Sequence, residues 1–338
     1  MAKEIGIAEL ASMLKGRIAG SFDEGMMVTG TCAIDNYIEN KLSFVKNRKY
    51  DKVLARLQNA VILIPEDLIE FCKNYPQNIY VIVKDVVNSL MDIQDFFYRD
   101  HILITEEGIS QTAKIDSTAN ICKNVYIGEN VWIGKDVIIG GGVKILHNSC
   151  ISDGVTIGSG SYIHPNVSIY ENSQIGCNCI IDSGVCMGAA GFRIEQDIKR
   201  KVVRRMLHAG RVIIGDRVEI GANSAIDRAT FEDDATLLSD DVKIDNLVHI
   251  GHNAQIGART IIAALSCIGG SDKIGEDVWI GIGVTTSNGI NIGNRAKILL
   301  NAVVAYDVAE DEMVSGFYAM PHRQWKRVYE RLKEDFYG

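Results

Sequence analysis

The sequence has little of several things that would tie it to common classes of protein. Only four prolines occur in 338 residues. No Ser/Gly or Pro-rich stretch separates one part from another, so flexible tethers are excluded and the domains are expected to abut. None of the eight cysteines (Cys32, Cys72, Cys122, Cys150, Cys177, Cys179, Cys186 and Cys267) belongs to a C-x-x-C pair. They are therefore expected to be reduced, small apolar fillers rather than disulfide or zinc partners. No apolar run approaches the length of a membrane span, and the N-terminal MAKEIGIAELASMLKG has no apolar signal core, so a cytoplasmic location is expected. A net charge of -8 leaves no basic excess for phosphate backbones, which argues against a nucleic-acid partner. The hydrophobic content of 47% and charged content of 23% are those of an ordinary globular chain.

What is there is a period. An aliphatic residue recurs at every sixth position from Ile109 to Ile181 without a miss, and again from Ile214 to Val304 with breaks only at Glu232 and Thr286. Four residues after each comes a small or β-branched residue, as at Val131, Val137, Ser149 and Cys179. Neither a helix nor an ordinary strand requires a period of six. The pattern is a hexapeptide repeat, whose physical reading is a parallel β-helix: each hexad forms one side of a triangular coil, and roughly ten coils stack their aliphatic side chains into one column. Gly often follows the aliphatic residue, as at Gly128, Gly134 and Gly158, where it would serve either a positive φ or a close backbone approach. Between Met187 and Ile214 the phase slips, so residues 188–211 are expected to leave the wall as an excursion loop.

The expected fold is mainly β: a left-handed parallel β-helix with a small N-terminal α/β domain and a C-terminal helix. The domains are expected at 1–100, 101–308 and 309–338. In the first, Ile7 to Leu14 has helical spacing, Ala60 to Ile64 and Ile79 to Val83 read as strands, and Pro65 to Asn74 reads as a helix between them. Such a β-α-β order favours parallel neighbours. At the other end, His322 to Phe336 has helical periodicity with Trp325, Val328, Tyr329 and Leu332 on its apolar face.

Chemistry-bearing residues gather in three places. In KIDNLVHIGHNAQIG, Ile244, Ile250 and Ile256 continue the column, so Asp245, Asn246, His249, His252 and Asn253 lie outside it. A histidine with a carboxylate or amide nearby can act as a general base, since imidazole titrates near neutrality and the partner fixes its tautomer. Two solvated wall histidines are the competing reading. Zinc is another use of such histidines, but His249 and His252 are separated by only two residues, and His101, His147, His164, His208 and His322 show no ligand spacing. No metal is expected. The excursion loop carries KRKVVRR, five basic residues in seven, a solvated loop or a clamp for the phosphates of coenzyme A or an acidic carrier protein. Near the N-terminus, LSFVKNRKY holds Phe44, Asn47 and Tyr50, which either pack in a core or sandwich a nucleobase.

Five blocks in order resemble one family, the UDP-3-O-acylglucosamine N-acyltransferases of lipid A biosynthesis: LSFVKNRKY, GAAGF at 188–192, GRVIIGDRVEIGANSAIDRA at 210–229, KIDNLVHIGHN at 243–253 and SGFYAMPHRQWKR at 315–327. The resemblance spans nearly the whole chain. It implies transfer of an acyl group from a thioester to the amine of a nucleotide-linked amino sugar, in a homotrimer with sites between subunits and no permanently bound cofactor. By position, His252 matches the general base, Asp245 and Asn246 its supporting polar pair, and Phe44, Asn47 and Tyr50 the residues that hold the base of the nucleotide. Lys199, Arg200, Arg204, Arg205, Leu300 and Asn301 are expected at the acyl donor.

Two departures redirect the substrate. Gly289, in TTSNGINIG, stands where the family has a second histidine. ILLNAVVAY places Leu299, Leu300 and Asn301 where a Gly-rich lane would take a long acyl chain. The expectation is therefore a short or 3-hydroxylated acyl group from acyl-CoA, as in relatives that acylate dTDP-linked 4-amino-6-deoxy sugars of the anthrose type for surface glycans. The alternatives are lipid A synthesis from acyl carrier protein, a zinc hydratase like the γ-class carbonic anhydrases, and a non-catalytic solenoid. In a rival mechanism the thioester sulfur takes the proton and His252 is structural.

Overall fold

The computed structural model describes residues 3–102, 104–316 and 320–337; Phe317 to Ala319, within the last family-like block, lie outside them. The chain divides into two units, residues 1–105 and 106–338. The first is built on a four-stranded sheet in the order Arg17–Ala19, Ile79–Val83, Val61–Pro65, Leu42–Phe44. The last three strands are parallel and Arg17–Ala19 runs against them at one edge. Ile7, Leu10, Ile93 and Phe97 from two helices cover one face, while Leu54, Leu68, Cys72 and Tyr75 cover the other. Burial on both faces explains why Val61–Ile64 and Ile79–Val83 are unbroken apolar runs.

Two details differ from the sequence reading. The segment after Pro65 forms a 3-10 turn, Glu66–Leu68, and one short helix, Ile69–Cys72. A longer helix, Val86–Ile102, carries the first unit past residue 100. Asp85 caps it, accepting from the Val87 and Asn88 N–H groups at 2.9 and 3.1 Å, and these bonds hold its carboxyl below the usual range.

The second unit is a left-handed parallel β-helix. Ile127 pairs with Ile145 and Ile145 with Ile163, so three hexads make one coil. Most hexads give a two-residue strand to one of three parallel walls. The first wall begins with Gly108–Ile109, the second with Lys114–Ile115 and the third with Asn120–Ile121; among the described residues they hold 11, 10 and 9 strands. Parallel crossovers are ordinarily right-handed because strands twist. Two-residue strands have almost no twist to impose that hand. The aliphatic residues and the smaller corner residues form one continuous core.

Most corners bend through a residue of positive φ, and its place decides between the two uses expected of the glycines. The left-handed residue comes three positions after the aliphatic one, as at Asn124, Asn130, Asp136 and Asn148. Gly128, directly after Ile127, serves close approach instead: a Cβ there would lie 2.8 Å from the His147 nitrogen of the next coil.

Two insertions interrupt the coil, both between the second and third walls. Residues 191–210 separate Cys186–Ala190 from Arg211–Ile214 and carry the antiparallel hairpin Ile194–Asp197/Val202–Arg205. Residues 229–234 separate Ala225–Arg228 from Ala235–Leu238. The break at Glu232 is thus an extra hexad that leaves the wall, not a substituted wall position. Thr286, in contrast, stays in the wall, buried. Its Oγ1 donates to Asp272 and accepts from the Gly269 N–H at 2.7 Å. The terminal helix spans His322–Tyr337, with Trp325 stacked between His322 and Tyr329.

Candidate active site

The corner between the second and third walls gathers both insertions and His252. Residues 229–234 reach the histidine through Thr230, whose N–H donates to Asn253 Oδ1 at 3.0 Å and whose Oγ1 lies 3.4 Å from His252 Nδ1. The Asn253 amide is oriented by its own donor end: Nδ2 donates to Asp234 Oδ2 at 3.2 Å, which turns Oδ1 toward His252 Nδ1 at 3.0 Å. A carbonyl oxygen only accepts, so Nδ1 carries the proton and Nε2 carries the lone pair. Nε2 stands over Gly270, where a Cβ would come within 2.8 Å of it. Gly191 presses the ring from another side, with a built Cβ 3.1 Å from His252 Cδ2 and 2.9 Å from His208 Nε2.

The cleft at this corner has a volume of about 430 Å³. Phe192, Arg193 and Ile194 from the hairpin root line it, with His252, Gly270, Ser271, Asn288 and Gly289 from three successive coils. At Gly289, φ is +76° and a Cβ would meet open space. The backbone N–H groups of Gly270, Ser271 and Gly289 are engaged within the coil, by Asn288 Oδ1, the His252 carbonyl and the Gly270 carbonyl. A larger hollow of about 690 Å³ runs along the third wall past Gln255, Lys273, Asn291 and Glu312, and no histidine lines it.

The hairpin root is clamped to this corner. Arg205 donates to the Ala190 and Gly191 carbonyls, and Arg228 donates to the Gly188 carbonyl and to Glu171 at 2.6 Å. His208, 7% exposed, packs edge-on to His252 with ring centroids 5.1 Å apart. Its Nδ1 meets the Met206 carbonyl, its Nε2 has no partner, and burial pushes its pKa down.

The expected site residues divide by corner. Lys199 and Arg200 sit at the exposed hairpin turn, where Arg200 pairs with Asp197, and Arg204 is exposed on the hairpin. Arg205 is corrected: it holds main-chain carbonyls at the hairpin root instead of waiting for a phosphate. Asp245 and Asn246 are corrected as direct partners of His252. They follow Lys243–Ile244 of the first wall, one corner away, and accept from the Asn246, Ala264 and Ala222 N–H groups. The physical reason is the coil itself, which turns through a corner between Ile244 and Ile250. Leu300 and Asn301 follow Lys297–Ile298 on that same first-to-second corner, where Leu247, Leu265, Ile282 and Leu300 form an exposed apolar row. In the first unit, Phe44 packs against the cluster on one face of the sheet and Tyr50 against the cluster on the other. The two rings do not form a sandwich. Asn47 Oδ1 caps the turn Arg48–Tyr50 through the Lys49 N–H at 3.2 Å.

The partners Asn253, Thr230, Asp234 and His208 were not assigned from sequence. A signal existed: the phase slip after Met187 and the break at Glu232 fall at one corner once the coil is counted in threes. All eight cysteines are free. Among the described residues no cluster of three His, Cys, Asp or Glu is arranged to hold a metal ion, and no helix is long and apolar enough to cross a membrane.

Three family models match: the GMPPB C-terminal domain over residues 109–203, the bacterial transferase hexapeptide (six repeats) over 235–270, and the hexapeptide repeat of succinyl-transferase over 211–246 and 273–305. The chain thus carries hexapeptide repeats in a left-handed β-helix fold. More particularly, it is 30% identical over 214 residues to the UDP-3-O-acylglucosamine N-acyltransferase of Polynucleobacter asymbioticus, a match that spans 61% of this chain and 60% of that relative. Among solved structures it is similar to the UDP-N-acetylglucosamine acyltransferase of Arabidopsis, with a TM-score of 0.49 at 23% identity over 65% of this chain and 77% of that one. The Francisella novicida enzyme of that name gives a TM-score of 0.47 at 21% identity over 65% and 73%.

Proposed function

We propose that the protein is a cytoplasmic N-acyltransferase that moves a short or 3-hydroxylated acyl group from a coenzyme A thioester to the amine of a nucleotide-linked amino sugar. One observation carries the reading: the Asn253 amide oxygen fixes the tautomer of His252 and leaves the Nε2 lone pair free over Gly270 in an open cleft. In the proposed reaction His252 Nε2 takes a proton from the attacking amine, the C–N bond forms, the C–S bond breaks, and the departing thiolate takes the proton back. A thioester is already activated, so one base and a shaped cleft suffice. Lys199, Arg200 and Arg204 supply positive charge for the phosphates of the donor.

The split between corners supports a homotrimer. Asp245, Asn246, Leu300 and Asn301 can serve the same site as His252 only if a second copy brings its first-to-second corner to the cleft. Phe44, Asn47 and Tyr50 lie at the C-terminal end of a parallel edge strand, a usual place for ligands in open sheets. The nucleotide is assigned there, against one ring at a time. A second reading, long-chain transfer from acyl carrier protein as in lipid A synthesis, is favoured by the row Leu247, Leu265, Ile282 and Leu300, which spans about 14 Å at about 4.8 Å per coil.

Mass spectrometry of products decides between them, with UDP- and dTDP-amino sugars offered alongside coenzyme A and carrier-protein thioesters of graded length. The expected product is a short N-acyl sugar, and His252→Ala lowers kcat about a hundredfold or more. Acylation only from a long carrier-protein thioester would refute the short-chain reading. A near-normal rate in His252→Ala would make the histidine structural and leave the proton to the thioester sulfur.

A further inference from the structure

Beside the cleft, the outward face of the second wall stacks three reactive side chains that the mechanism above does not use. Coil pairing sets Ala225 beside His249 and His249 beside Cys267. Asp227, two residues beyond Ala225 and only 9% exposed, places Oδ2 3.1 Å from His249 Nε2. On the other side of the ring, His249 Nδ1 lies 3.7 Å from Cys267 Sγ. An ionised carboxylate only accepts, so Nε2 carries the proton and the Nδ1 lone pair faces the thiol. The order is nucleophile, base, orienting acid, in which each group is within reach of the next. Cys267 also stands three residues before Gly270, which lines the cleft.

We infer that Cys267, His249 and Asp227 form a second reactive site that takes an acyl group from a thioester as an S-acyl cysteine. Cys267 gives its proton to His249 Nδ1, and its sulfur attacks the thioester carbonyl. The new C–S bond forms, the donor's C–S bond breaks, and the departing thiolate takes the proton from His249. The acyl group then leaves to an amine or to water, with Cys267 regaining a proton. Electrostatics fit a thiol activated only on demand. Burial and the charges of Asp227 and Asp272 push the Cys267 thiol up, so it rests protonated, while the bond to Asp227 raises His249 and makes it a stronger base. Asp227 stabilises the imidazolium formed on transfer.

The inference takes its donor class from the proposed function but does not depend on the amine acceptor, so the test omits one. Full-length protein is incubated with butyryl-CoA and weighed intact, then mapped by peptide mass spectrometry. The expected result is one butyryl group on Cys267 in the wild type and in His252→Ala, removed by hydroxylamine. Cys267→Ser abolishes it, and His249→Gln, which keeps the thiol, slows its formation at least tenfold. Thermal melts of both variants identify any loss of folding. No adduct in the wild type, or an adduct that survives in Cys267→Ser or forms at the normal rate in His249→Gln, overturns the inference. A parallel assay with amino sugar separates the two readings. Adduct without sugar acylation refutes the proposed acceptor and leaves Cys267 standing, whereas sugar acylation without adduct does the reverse.

Discussion

At the residue scale, one wall and one corner hold histidines whose titrations are pushed in opposite directions. His208 is buried without a partner on Nε2 and is pushed toward the neutral form, whereas His249 is drawn toward the charged form by its bond to Asp227. The sign of the second effect can be worked out. A histidine whose folded pKa is raised adds stability that is fully present below its unfolded value, about 6.5, and that is lost as pH rises through the folded value. Asp227→Asn should therefore bring the His249 titration, followed by NMR of its ring protons, back toward or below the ordinary value. An unchanged raised titration would mean that the ion pair is not the cause. Asp227 could not be tied to His249 from sequence, because 22 residues separate them and only the longer coil produced by the 229–234 insertion sets them side by side.

At the element scale, the hexads are alike in the interior and differ at the corners. Wall strands such as Trp132–Ile133 and Thr156–Ile157 differ only in which outward residue they show, so the column says nothing about where chemistry sits. The insertions do. Their place was legible in the break of phase after Met187 and at Glu232, whereas their convergence follows only when the hexads are also counted in threes. Gly270 illustrates what was missed: in sequence it is the second glycine of Ile268-Gly269-Gly270, and in the fold it keeps His252 Nε2 uncovered. Its φ is not in the left-handed region, and the three atoms nearest a Cβ placed there all belong to the His252 ring. Gly270→Ala should consequently leave the thermal midpoint almost unchanged while lowering kcat about tenfold to a hundredfold, because the ring is displaced or the lone pair covered. A normal kcat in a well-folded Gly270→Ala protein would place the reacting amine elsewhere.

At the scale of the whole molecule, each of the two units has its own core, and the residues assigned to one reaction lie on two corners of the coil. On the proposed function, assembly is part of the chemistry. Sedimentation should give a particle of three times the 37.2 kDa of the chain. Co-assembly of His252→Ala with Asp245→Ala chains should restore about a quarter of the wild-type rate, the fraction of interfaces that combine two intact corners. Two inactive variants that never complement each other would confine the site to one chain. The six-residue period by itself determined the coil, because a side chain that must enter a narrow prism at every turn leaves its period in the sequence. The parallel apolar runs of the first unit were legible because both faces of that sheet are buried. Only the tertiary structure decided which polar residues meet: it parted Asp245 from His252 by a corner, joined Asn253, Thr230 and Asp234 around that histidine, and divided Phe44 from Tyr50 by a sheet. Polar partners here lie one coil apart, and the distance along the chain from one coil to the next depends on what each corner inserts.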